Sequence, residues 1–393
     1  MKRHAEIVGG GIGGLSFATM LVRQGWTARV HERSPEIREV GAGIYLRNNA
    51  IEVLEAIGVF DRLAPHGVRL ELAQHFDRDG RVMKHHACVG HARVHVFLRQ
   101  VVVDVLRDAA EQAGVEIVTG SAAVAADPAG ELLLQSGRRL RADLVVAADG
   151  ARSKIRDSLG VGARYRSLPT VVSRYLIPSR ELAPDLVSRE HWSDRYRIGI
   201  TPCGDDLTYV YQVSPEWDKA AAALPNDVAH WSKAFPRLSR EIEIFSRISA
   251  IQHNYVLVRC PRWQRGRVAI IGDAAHGLPQ ALGQGAGLTL MNAQALAVVL
   301  GSGRAVEDAL PAWEAAVRSV SDQTQRWALR YDVFTRQWPA PLWFMRPAIS
   351  RVLHSFPPLN RRMRIADRGL KLPPELVRNA EQSEFAHFVG SSV

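Results

Sequence analysis

Three separated stretches of the chain end a short apolar run in glycines, or in a glycine beside a carboxylate, and these residue types suit the binding of phosphates and hydroxyl groups. The first is AEIVGGGIGG at 5–14, where Gly9, Gly11 and Gly14 fit Gly-x-Gly-x-x-Gly and Gly13 lies in the same loop. Glycines at this spacing permit a tight turn, let the backbone approach a pyrophosphate and let a helix pack on a strand. A helix starting here would direct free N–H groups at phosphates. The stretch predicts a dinucleotide site without saying which dinucleotide binds.

A carboxylate follows where the second strand of such a unit should end. The stretch ARVHE ends in Glu32, which lies 18 residues after Gly14, and Arg33 comes next. An acid at this position accepts hydrogen bonds from ribose hydroxyls. We therefore expect Glu32 and Arg33 to bind the cofactor, and an ordinary glycine-rich turn is the alternative interpretation.

Two further strand-like runs end in the same way. ADLVVAADGARSKIR leads into Asp149 and Gly150, and VAIIGDAAHG leads into Gly272 and Asp273. An enzyme that binds only a nicotinamide cofactor needs just the first glycine motif. Here the second and third signals lie more than 120 residues downstream of it. We interpret the three stretches as separated pieces of one nucleotide site.

Together the three stretches resemble the signature of single-component flavoprotein aromatic hydroxylases, which have the para-hydroxybenzoate hydroxylase fold. The resemblance runs from about residue 4 to about residue 330. It implies that Asp273 binds ribityl hydroxyls of FAD, with a helix N-cap as the alternative role. It also implies that the following loop approaches the flavin through Gly283, Gly285, Ala286 and Gly287. A positive helix end there would stabilise the negative charge of reduced flavin at its pyrimidine edge.

Other positions carry over from the same resemblance. Arg38 matches an arginine that contacts the FAD phosphates, Gly43 belongs to a turn near the flavin, and Arg99 and Gln100 match a pair that faces FAD. A surface salt bridge or a cap is the alternative for each of these side chains.

A smaller group, the 2-methyl-3-hydroxypyridine-5-carboxylate oxygenases, is more similar still. The stretch GAGIYLRNNAIEVLEAIG agrees with that group, and so do Gly287 and Asn292, which stand where most family members have an asparagine and an acid. Those enzymes hydroxylate a hydroxylated pyridine carboxylate, whose ring then opens. The loop departs from many relatives at Gln280, where they carry a proline whose carbonyl faces the substrate. This departure leaves the identity of the substrate undecided but does not affect the predicted fold.

Between about 166 and 260 the pattern changes to alternating runs such as RYRIGITP and LTYVYQVSP, which predict a sheet covering the flavin. In the pyridine-carboxylate oxygenases an arginine and a tyrosine on adjacent strands hold the substrate, and Arg197 and Tyr209 match them. Arg197 would pair a carboxylate bidentately. Tyr209 would bond a polar atom of the ring, and Tyr211 is a second candidate because it shares the strand face. A cross-strand salt bridge and a half-buried tyrosine are the alternative.

The composition sets further bounds on the kind of protein. The 393 residues carry a net charge of +10, which suits anionic cofactors and substrates, and no nucleic-acid-binding motif accompanies it. The sequence contains no apolar run of 18 residues and no signal peptide before the first strand, so we expect a cytoplasmic protein that does not enter a membrane. The three cysteines are far apart, and the histidines of KHHACVGHARVHVFLR fit no zinc spacing. We expect no metal, and a polar hairpin near the pocket mouth.

The predicted fold class is α/β: a discontinuous Rossmann-type FAD-binding domain, an inserted, mainly β, substrate-binding sheet and C-terminal helices. The expected boundaries are 1–165 and 263–330 for the FAD-binding domain, 166–262 for the sheet and 331–393 for the C-terminal segment. Within that segment WPAPLWFMRP, with Trp338 and Trp343, would contribute either to a homodimer or to the core.

The predicted function is that of an FAD-dependent monooxygenase that uses NADH or NADPH and O2 to hydroxylate an electron-rich aromatic ring. A small anionic hydroxylated pyridine or benzene carboxylate is the expected substrate. The alternatives are a flavin-dependent halogenase or another FAD oxidoreductase, and a Rossmann protein that binds only NAD. The halogenase string W-x-W-x-I-P does not occur, and the Gly272-Asp273 signal argues against the NAD-only protein.

Overall fold

The computed structural model describes residues 2–38, 42–204, 206–336, 342 and 345–377. The strands are, in chain order, β1 (His4–Val8), β2 (Thr27–His31), β3 (Gly43–Arg47), β4 (Gly67–Arg69), β5 (Leu72–Phe76), β6 (Val82–Ala87), β7 (Val94–Leu98), β8 (Glu116–Val118), β9 (Ala123–Asp127), β10 (Glu131–Leu134), β11 (Arg139–Arg141), β12 (Leu144–Ala147), β13 (Arg164–Ile177), β14 (Val187–Ser193), β15 (Tyr196–Cys203), β16 (Leu207–Pro215), β17 (Ile251–Arg259), β18 (Gln264–Arg265) and β19 (Val268–Ile270).

The α-helices are α1 (Ile12–Arg23), α2 (Asn48–Ile57), α3 (Phe60–Leu63), α4 (Arg99–Gln112), α5 (Lys154–Ser158), α6 (Val228–Ala234), α7 (Ser239–Ser246), α8 (Asp273–His276), α9 (Gly285–Gly301), α10 (Val306–Arg336), α11 (Arg346–Ser355), α12 (Pro357–Met363) and α13 (Pro374–Val377). Short 3₁₀ turns lie at Ala64–His66, Gly90–Ala92, Pro236–Leu238, Gln280–Leu282 and Ile365–Arg368.

The central sheet has the order β18-β19-β12-β1-β2-β8 and brings the three glycine-containing stretches together. Strand β1 lies parallel between β2 and β12, and β12 lies parallel to β19. Strands β12 and β19 are wholly apolar, as expected for a parallel sheet that is covered on both faces. Strands β1 and β2 also carry polar residues, among them Glu6 and His31, which pair at 2.7 Å. Because the carboxyl ends of parallel strands meet at one edge, Gly9, Asp149 and Gly272 gather there.

Helix α9 forms the centre of the layer packed on this sheet. It is apolar on all sides and almost entirely buried, and it packs against α1, α2 and α10. Trp313 and Val317 of α10 are buried. The indole Nε1 of Trp313 donates to the carbonyl of Asn292 on α9 at 2.9 Å, which fixes α10 on the FAD-binding part.

A seven-stranded sheet of order β17-β13-β16-β15-β14-β5-β6 faces the central sheet across a cavity. Its neighbours are antiparallel except for β14 and β5, which pair in parallel. Strands β5 and β6 come from outside 166–262, so the sheet draws on more of the chain than that range. The polar hairpin predicted for KHHACVGHARVHVFLR is wrong, because β6 pairs with β5 at the edge of this sheet, whereas β7 pairs with β3 and β4 in a separate sheet. The inner face of β6 lines the cavity.

The α/β fold class is confirmed by these two sheets and their helices, while the expected domain boundaries stay a prediction. After α10 the chain continues through α11, α12 and α13. Trp338 and Trp343, which were considered for a dimer contact, lie outside the described residues. Within the described ranges, no helix combines the length and the apolar character needed to cross a membrane.

Candidate active site

A cavity of about 1590 Å³ lies between the central sheet and the seven-stranded sheet. This volume exceeds the roughly 300–1,000 Å³ of a site for one drug-sized ligand. It is lined at one end by the carboxyl edge of the central sheet and at the other by the seven-stranded sheet. The cavity is therefore large enough for a dinucleotide together with a small aromatic compound.

Nearly all of the site residues predicted from the sequence line this cavity. They are Gly9, Gly11, Gly13, Glu32, Arg33, Arg38, Gly43, Arg99, Asp149, Gly150, Gly272, Asp273, Gly283, Gly285 and Ala286 for the cofactor, and Arg197, Tyr209, Tyr211 and Gln280 for the substrate.

Two predicted cofactor glycines are not among the residues that line the cavity, and both permit close packing. A Cβ on Gly14 would lie 2.0 Å from the carbonyl oxygen of Gly9, so this glycine lets α1 approach the end of β1. A Cβ on Gly287 would lie 2.5 Å from the side-chain nitrogen of Asn49, so this glycine lets α9 approach α2. Contact of Gly14 or Gly287 with the cofactor stays a prediction.

The end of β1 provides N–H groups suited to a pyrophosphate. Helix α1 begins after Gly11, and no side chain of the described residues caps it, so its first N–H groups face the cavity. The carboxylate of Glu32 accepts from the N–H groups of Gly10 and Ser34, each at 2.9 Å. These bonds hold the carboxylate beside the glycine loop, as the predicted ribose contact requires.

The second stretch offers a carboxylate oxygen that lacks a partner. Oδ2 of Asp149 accepts weakly from the N–H of Ile155 at 3.4 Å, whereas its buried Oδ1 makes no hydrogen bond within the described part of the chain. Burial raises the pKa of Asp149, although the Ser153 hydroxyl and backbone N–H groups oppose that rise. An unsatisfied buried acceptor beside the cavity fits a ligand that carries hydroxyl groups.

Arg156 connects the second stretch to the third. Its buried guanidinium donates to the carbonyl of Ala151 at 2.9 Å and to that of Ala274 at 3.1 Å. The side chain of Ser153 caps α5 by accepting from the N–H of Arg156. Two strand ends that are distant in sequence are thus fixed to each other at the cavity edge.

The third stretch places a carboxylate and a helix N-terminus on the cavity. Gly272 occupies the N-cap position of α8, so the alternative role of Asp273 as a cap is wrong, and Asp273 is exposed to the cavity. Helix α9 starts at Gly285, and no side chain in the described ranges caps it. A Cβ on Gly150 or Gly285 would meet no described atom within 4 Å, so both glycines leave open space. These features fit FAD.

The remaining cofactor candidates lie around the rim. Arg38 is exposed and pairs with Glu36 at 2.5 Å, which leaves it at the cavity entrance. Arg99 lines the cavity, whereas Gln100 does not. The amide of Gln100 donates to Asp104 at 3.0 Å and toward the carbonyl of Ile37 at 3.4 Å, because the helix turns it away.

Arg197 is a buried guanidinium on the substrate side, with only 4% of its surface exposed. Its one hydrogen bond to a described residue is a long one of 3.5 Å to the hydroxyl of Tyr255. No described carboxylate lies within 4.0 Å of it, so the alternative of a cross-strand salt bridge is not observed. Burial opposes the charge, but Tyr255 and the more distant carboxylates of Glu190 and Asp332 raise the pKa of Arg197, so the guanidinium stays charged and can pair directly with an anionic ligand.

The two candidate tyrosines are packed against glycines. Tyr209 lies over Gly43, where a Cβ would come within 2.5 Å of the ring. Tyr211 lies over Gly199 of the neighbouring strand, where a Cβ would come within 2.1 Å of the ring. This lets the hydroxyl of Tyr211 reach and donate to the carboxylate of Glu190. Tyr209 is buried rather than half-buried.

Gln280 faces the cavity and is also hydrogen-bonded to the seven-stranded sheet. Its side-chain oxygen accepts from the guanidinium of Arg174 on β13. The same guanidinium lies 3.3 Å from Nδ1 of His253. Gln280 thus links the loop before α9 to the substrate sheet.

Several cavity residues were missed by sequence reasoning. Glu190, Tyr45, Lys84 and His86 all line the cavity. The alternation of Lys84, His86 and Cys88 was visible in KHHAC, but its meaning depends on the pairing of β6 in the sheet. No cluster of three His, Cys, Asp or Glu side chains that could hold a metal occurs in the part of the chain that the structure describes.

His276 anchors α8, the helix that begins with Asp273. Nε2 of His276 accepts from the amide of Asn292 at 2.9 Å, so the ring is neutral. Burial lowers the pKa of His276 to about 4. Between about pH 6.5 and pH 4 the unfolded chain binds a proton that the folded chain does not, so the free energy of unfolding should fall by about 3 kcal/mol as the pH drops.

This pH dependence can be checked by denaturant unfolding of His276→Gln, which keeps an acceptor but does not titrate. The variant should lose less stability between pH 7 and pH 4 than the wild type. His66→Gln, at an exposed position, serves as the control and should behave like the wild type. Identical pH profiles for His276→Gln and the wild type would contradict the neutral buried state of His276.

Comparison with known proteins agrees with this geometry. The model of the family described as "FAD binding domain" matches residues 3–328. The 2-heptyl-3-hydroxy-4(1H)-quinolone synthase of Mycobacteroides abscessus is 38% identical over 334 residues, which cover 83% of this chain and 89% of that protein. The 6-hydroxynicotinate 3-monooxygenase of Bordetella bronchiseptica is 24% identical, covering 75% of this chain and 82% of that protein.

Among solved structures, the tetrameric form of 2-methyl-3-hydroxypyridine-5-carboxylic acid oxygenase is similar, with a TM-score of 0.81 and 33% identity. The match covers 93% of this chain and 96% of that one. The predicted family and cofactor are thereby confirmed. The chain belongs to the FAD binding domain family and is a flavoprotein monooxygenase of the aromatic hydroxylase type that depends on FAD and on NADH or NADPH.

Proposed function

We propose that the substrate is an electron-rich aromatic ring that carries a carboxylate, a hydroxylated pyridine or benzene carboxylate, and that ring opening can follow its hydroxylation. The observation that carries the proposal is the buried guanidinium of Arg197, which faces the cavity with no described carboxylate within ion-pair distance. The fork of an arginine matches a carboxylate in two hydrogen bonds.

The cofactor would be held by the three strand ends. The N–H groups at the start of α1 would bind its pyrophosphate, Glu32 its ribose and Asp273 its ribityl chain, while the start of α9 would lie at the pyrimidine edge. When bound, FAD supplies the redox chemistry that links oxidation of NADH or NADPH to insertion of one oxygen atom of O2 into the ring.

The chain's own residues would orient the ring and control its protons. Arg197 would hold the carboxylate, and Tyr209 would bond a polar atom of the ring. Because the hydroxyl of Tyr211 donates its hydrogen to Glu190, only its lone pairs remain for the substrate. Tyr211 would therefore accept from a ring O–H or N–H, and this increases the electron density of the ring.

The seven-stranded sheet would exclude water from the reaction. Its inner face closes the cavity opposite the central sheet and carries Tyr209 and Tyr211, whose ring centroids are 5.8 Å apart. Tyr45 on β3 extends this aromatic row, with its ring centroid 6.3 Å from that of Tyr209. A dry aromatic wall favours a flat ring as ligand and strengthens the charge pairing at Arg197.

A neutral 4-quinolone with an alkyl chain is the second candidate. A relative is named as a synthase of such a compound. The apolar cavity residues Leu70, Val94, Leu282 and Met363 give this candidate some support. It leaves the charge of Arg197 without a partner.

The proposal predicts which compounds accelerate NADH or NADPH oxidation by the holoenzyme. Hydroxypyridine carboxylates and hydroxybenzoates should do so and should gain one oxygen atom, as detected by mass spectrometry. The control compounds are the same rings without a carboxylate and a 2-alkyl-4-quinolone. Turnover confined to these controls would refute the carboxylate and favour the quinolone.

A further inference from the structure

A row of side chains crosses the cavity face of the seven-stranded sheet. Lys84 on β6 lies opposite His75 on β5, which in turn lies opposite Glu190 on β14. Glu190 lies opposite Gly199 on β15, and Gly199 lies opposite Tyr211 on β16. Residues directly opposite one another point to the same face of a sheet. All members with a side chain line the cavity. Lys84 therefore lies on the same wall as the substrate residues, at its far edge.

The ammonium of Lys84 has no hydrogen-bond or ion-pair partner among the described residues. It is nevertheless partly buried, and burial lowers its pKa to about 7, aided by the positive charges of Arg364 and Arg47. Two residues further along β6, Nδ1 of His86 is buried and also makes no hydrogen bond to a described group. Two neighbouring nitrogen groups thus face the cavity unsatisfied.

The surroundings of Lys84 carry an excess of positive charge. Arg47 binds Asp367 in two hydrogen bonds of 2.7 and 2.8 Å, and Arg364 binds the same carboxylate at 3.0 Å. Three cations, Lys84 included, therefore lie near two carboxylates, those of Asp367 and Glu190. Glu190 accepts from the neutral donors Tyr211 and Trp192 and keeps its charge, so one positive charge remains in excess. An anion is the ligand that would balance this end of the cavity.

We propose that Lys84 forms a second anion-binding point of the substrate pocket, and that the substrate carries a second acidic group on the side of its ring opposite the group bound by Arg197. This inference rests on the proposed function. The backbones of Lys84 and Gly199 are three strand spacings apart, about 14 Å, and Arg197 is two residues from Gly199 on the same strand. Two long side chains can reach a substituted aromatic ring from the two ends of that span.

The same charge disfavours an alkyl chain at this end. A hydrocarbon tail against Lys84 would displace water from the ammonium without replacing its hydrogen bonds. Transfer of a charged group to such surroundings is strongly unfavourable. The substrate class that fits both the Arg197 end and the Lys84 end of the cavity is an aromatic dicarboxylate, or a ring with one carboxylate and one other acidic substituent.

The test compares ligand binding by wild-type holoenzyme and Lys84→Met, followed by the flavin absorbance. The probes are a hydroxypyridine dicarboxylate and the matching monocarboxylate. We expect the wild type to bind the dicarboxylate at least 10-fold more tightly, and Lys84→Met to bind the two about equally. Lys219→Met, which removes an exposed lysine, is the control and should keep the preference.

Folding does not obscure this test, because Lys84→Met removes an unpaired, partly buried charge and should leave the melting temperature unchanged or higher. If the monocarboxylate binds and the dicarboxylate has no advantage in the wild type, the second point is refuted while the proposed function stands. If neither acid binds, the proposed function fails, and inorganic sulfate then tests Lys84 alone. Sulfate should raise the melting temperature of the wild type more than that of Lys84→Met, and equal shifts would overturn the inference.

Discussion

Gly9→Ala should lose most of its bound flavin and about 2–5 kcal/mol of folding free energy. Gly9 has a φ of +109°, and a Cβ there would lie 2.4 Å from the carbonyl oxygen of Ala148 at the end of the neighbouring strand. An L residue in this backbone region costs about 1–2 kcal/mol, and overpacking adds about 1–3 kcal/mol. The clash pushes apart two of the strand ends that hold the cofactor. Denaturant unfolding and the flavin content of the purified variant measure both effects.

Gly25→Ala is the matched control for this prediction. Gly25 has a φ of +85°, but an added Cβ would meet no described atom within 4 Å. The control should therefore lose only the backbone cost of about 1–2 kcal/mol and keep its flavin. Equal stability and equal flavin content in the two variants would show that the contact between Gly9 and Ala148 does not position the cofactor site.

Arg197→Met should weaken the binding of an aromatic carboxylate by about 2–5 kcal/mol, because the carboxylate would remain buried without its partner. Arg197→Lys keeps the charge but loses the fork, so a loss of about 1–3 kcal/mol is expected. Both variants should keep FAD and fold normally, since Arg197 makes no ion pair with a described residue. Titration of the flavin absorbance with the carboxylate measures the affinity.

Arg189→Met on the same sheet is the control for the change of charge. Arg189 binds Asp185 and does not line the cavity, so its loss should leave the affinity unchanged. If Arg197→Met instead loses stability while the protein that remains folded binds the carboxylate as before, Arg197 has a structural role. That outcome would move attention to Tyr209, Tyr211 and Gln280.

The cofactor half of the site could be predicted because its signals are local. Gly9, Asp149 and Asp273 each follow an apolar strand within a few residues, and parallel pairing of those strands brings them to one edge. Gly14 and Gly287 were predicted to contact the cofactor because they belong to the same motifs. The role of each of these glycines depends on which backbone or side chain packs against it, and a sequence motif does not contain that information.

The substrate half could be predicted only in part. Arg197 and Tyr209 were found through a resemblance, and their neighbours Glu190 and Lys84 were missed. Lys84 reaches the cavity because β5 pairs in parallel with β14, more than 100 residues later in the chain. Pairing between such distant strands depends on the whole sheet, and no spacing within the sequence reveals it.

The most direct test of the proposed oxygenation is hydroxylation under ¹⁸O₂ by the holoenzyme, with the aromatic carboxylate that gives the fastest turnover. We expect one ¹⁸O atom in each newly formed hydroxyl group, the other leaving as water, and one NADH or NADPH oxidised for each O2 consumed. A product hydroxyl whose oxygen comes from water would contradict it. So would consumption of O2 that ends in hydrogen peroxide with every aromatic acid tested.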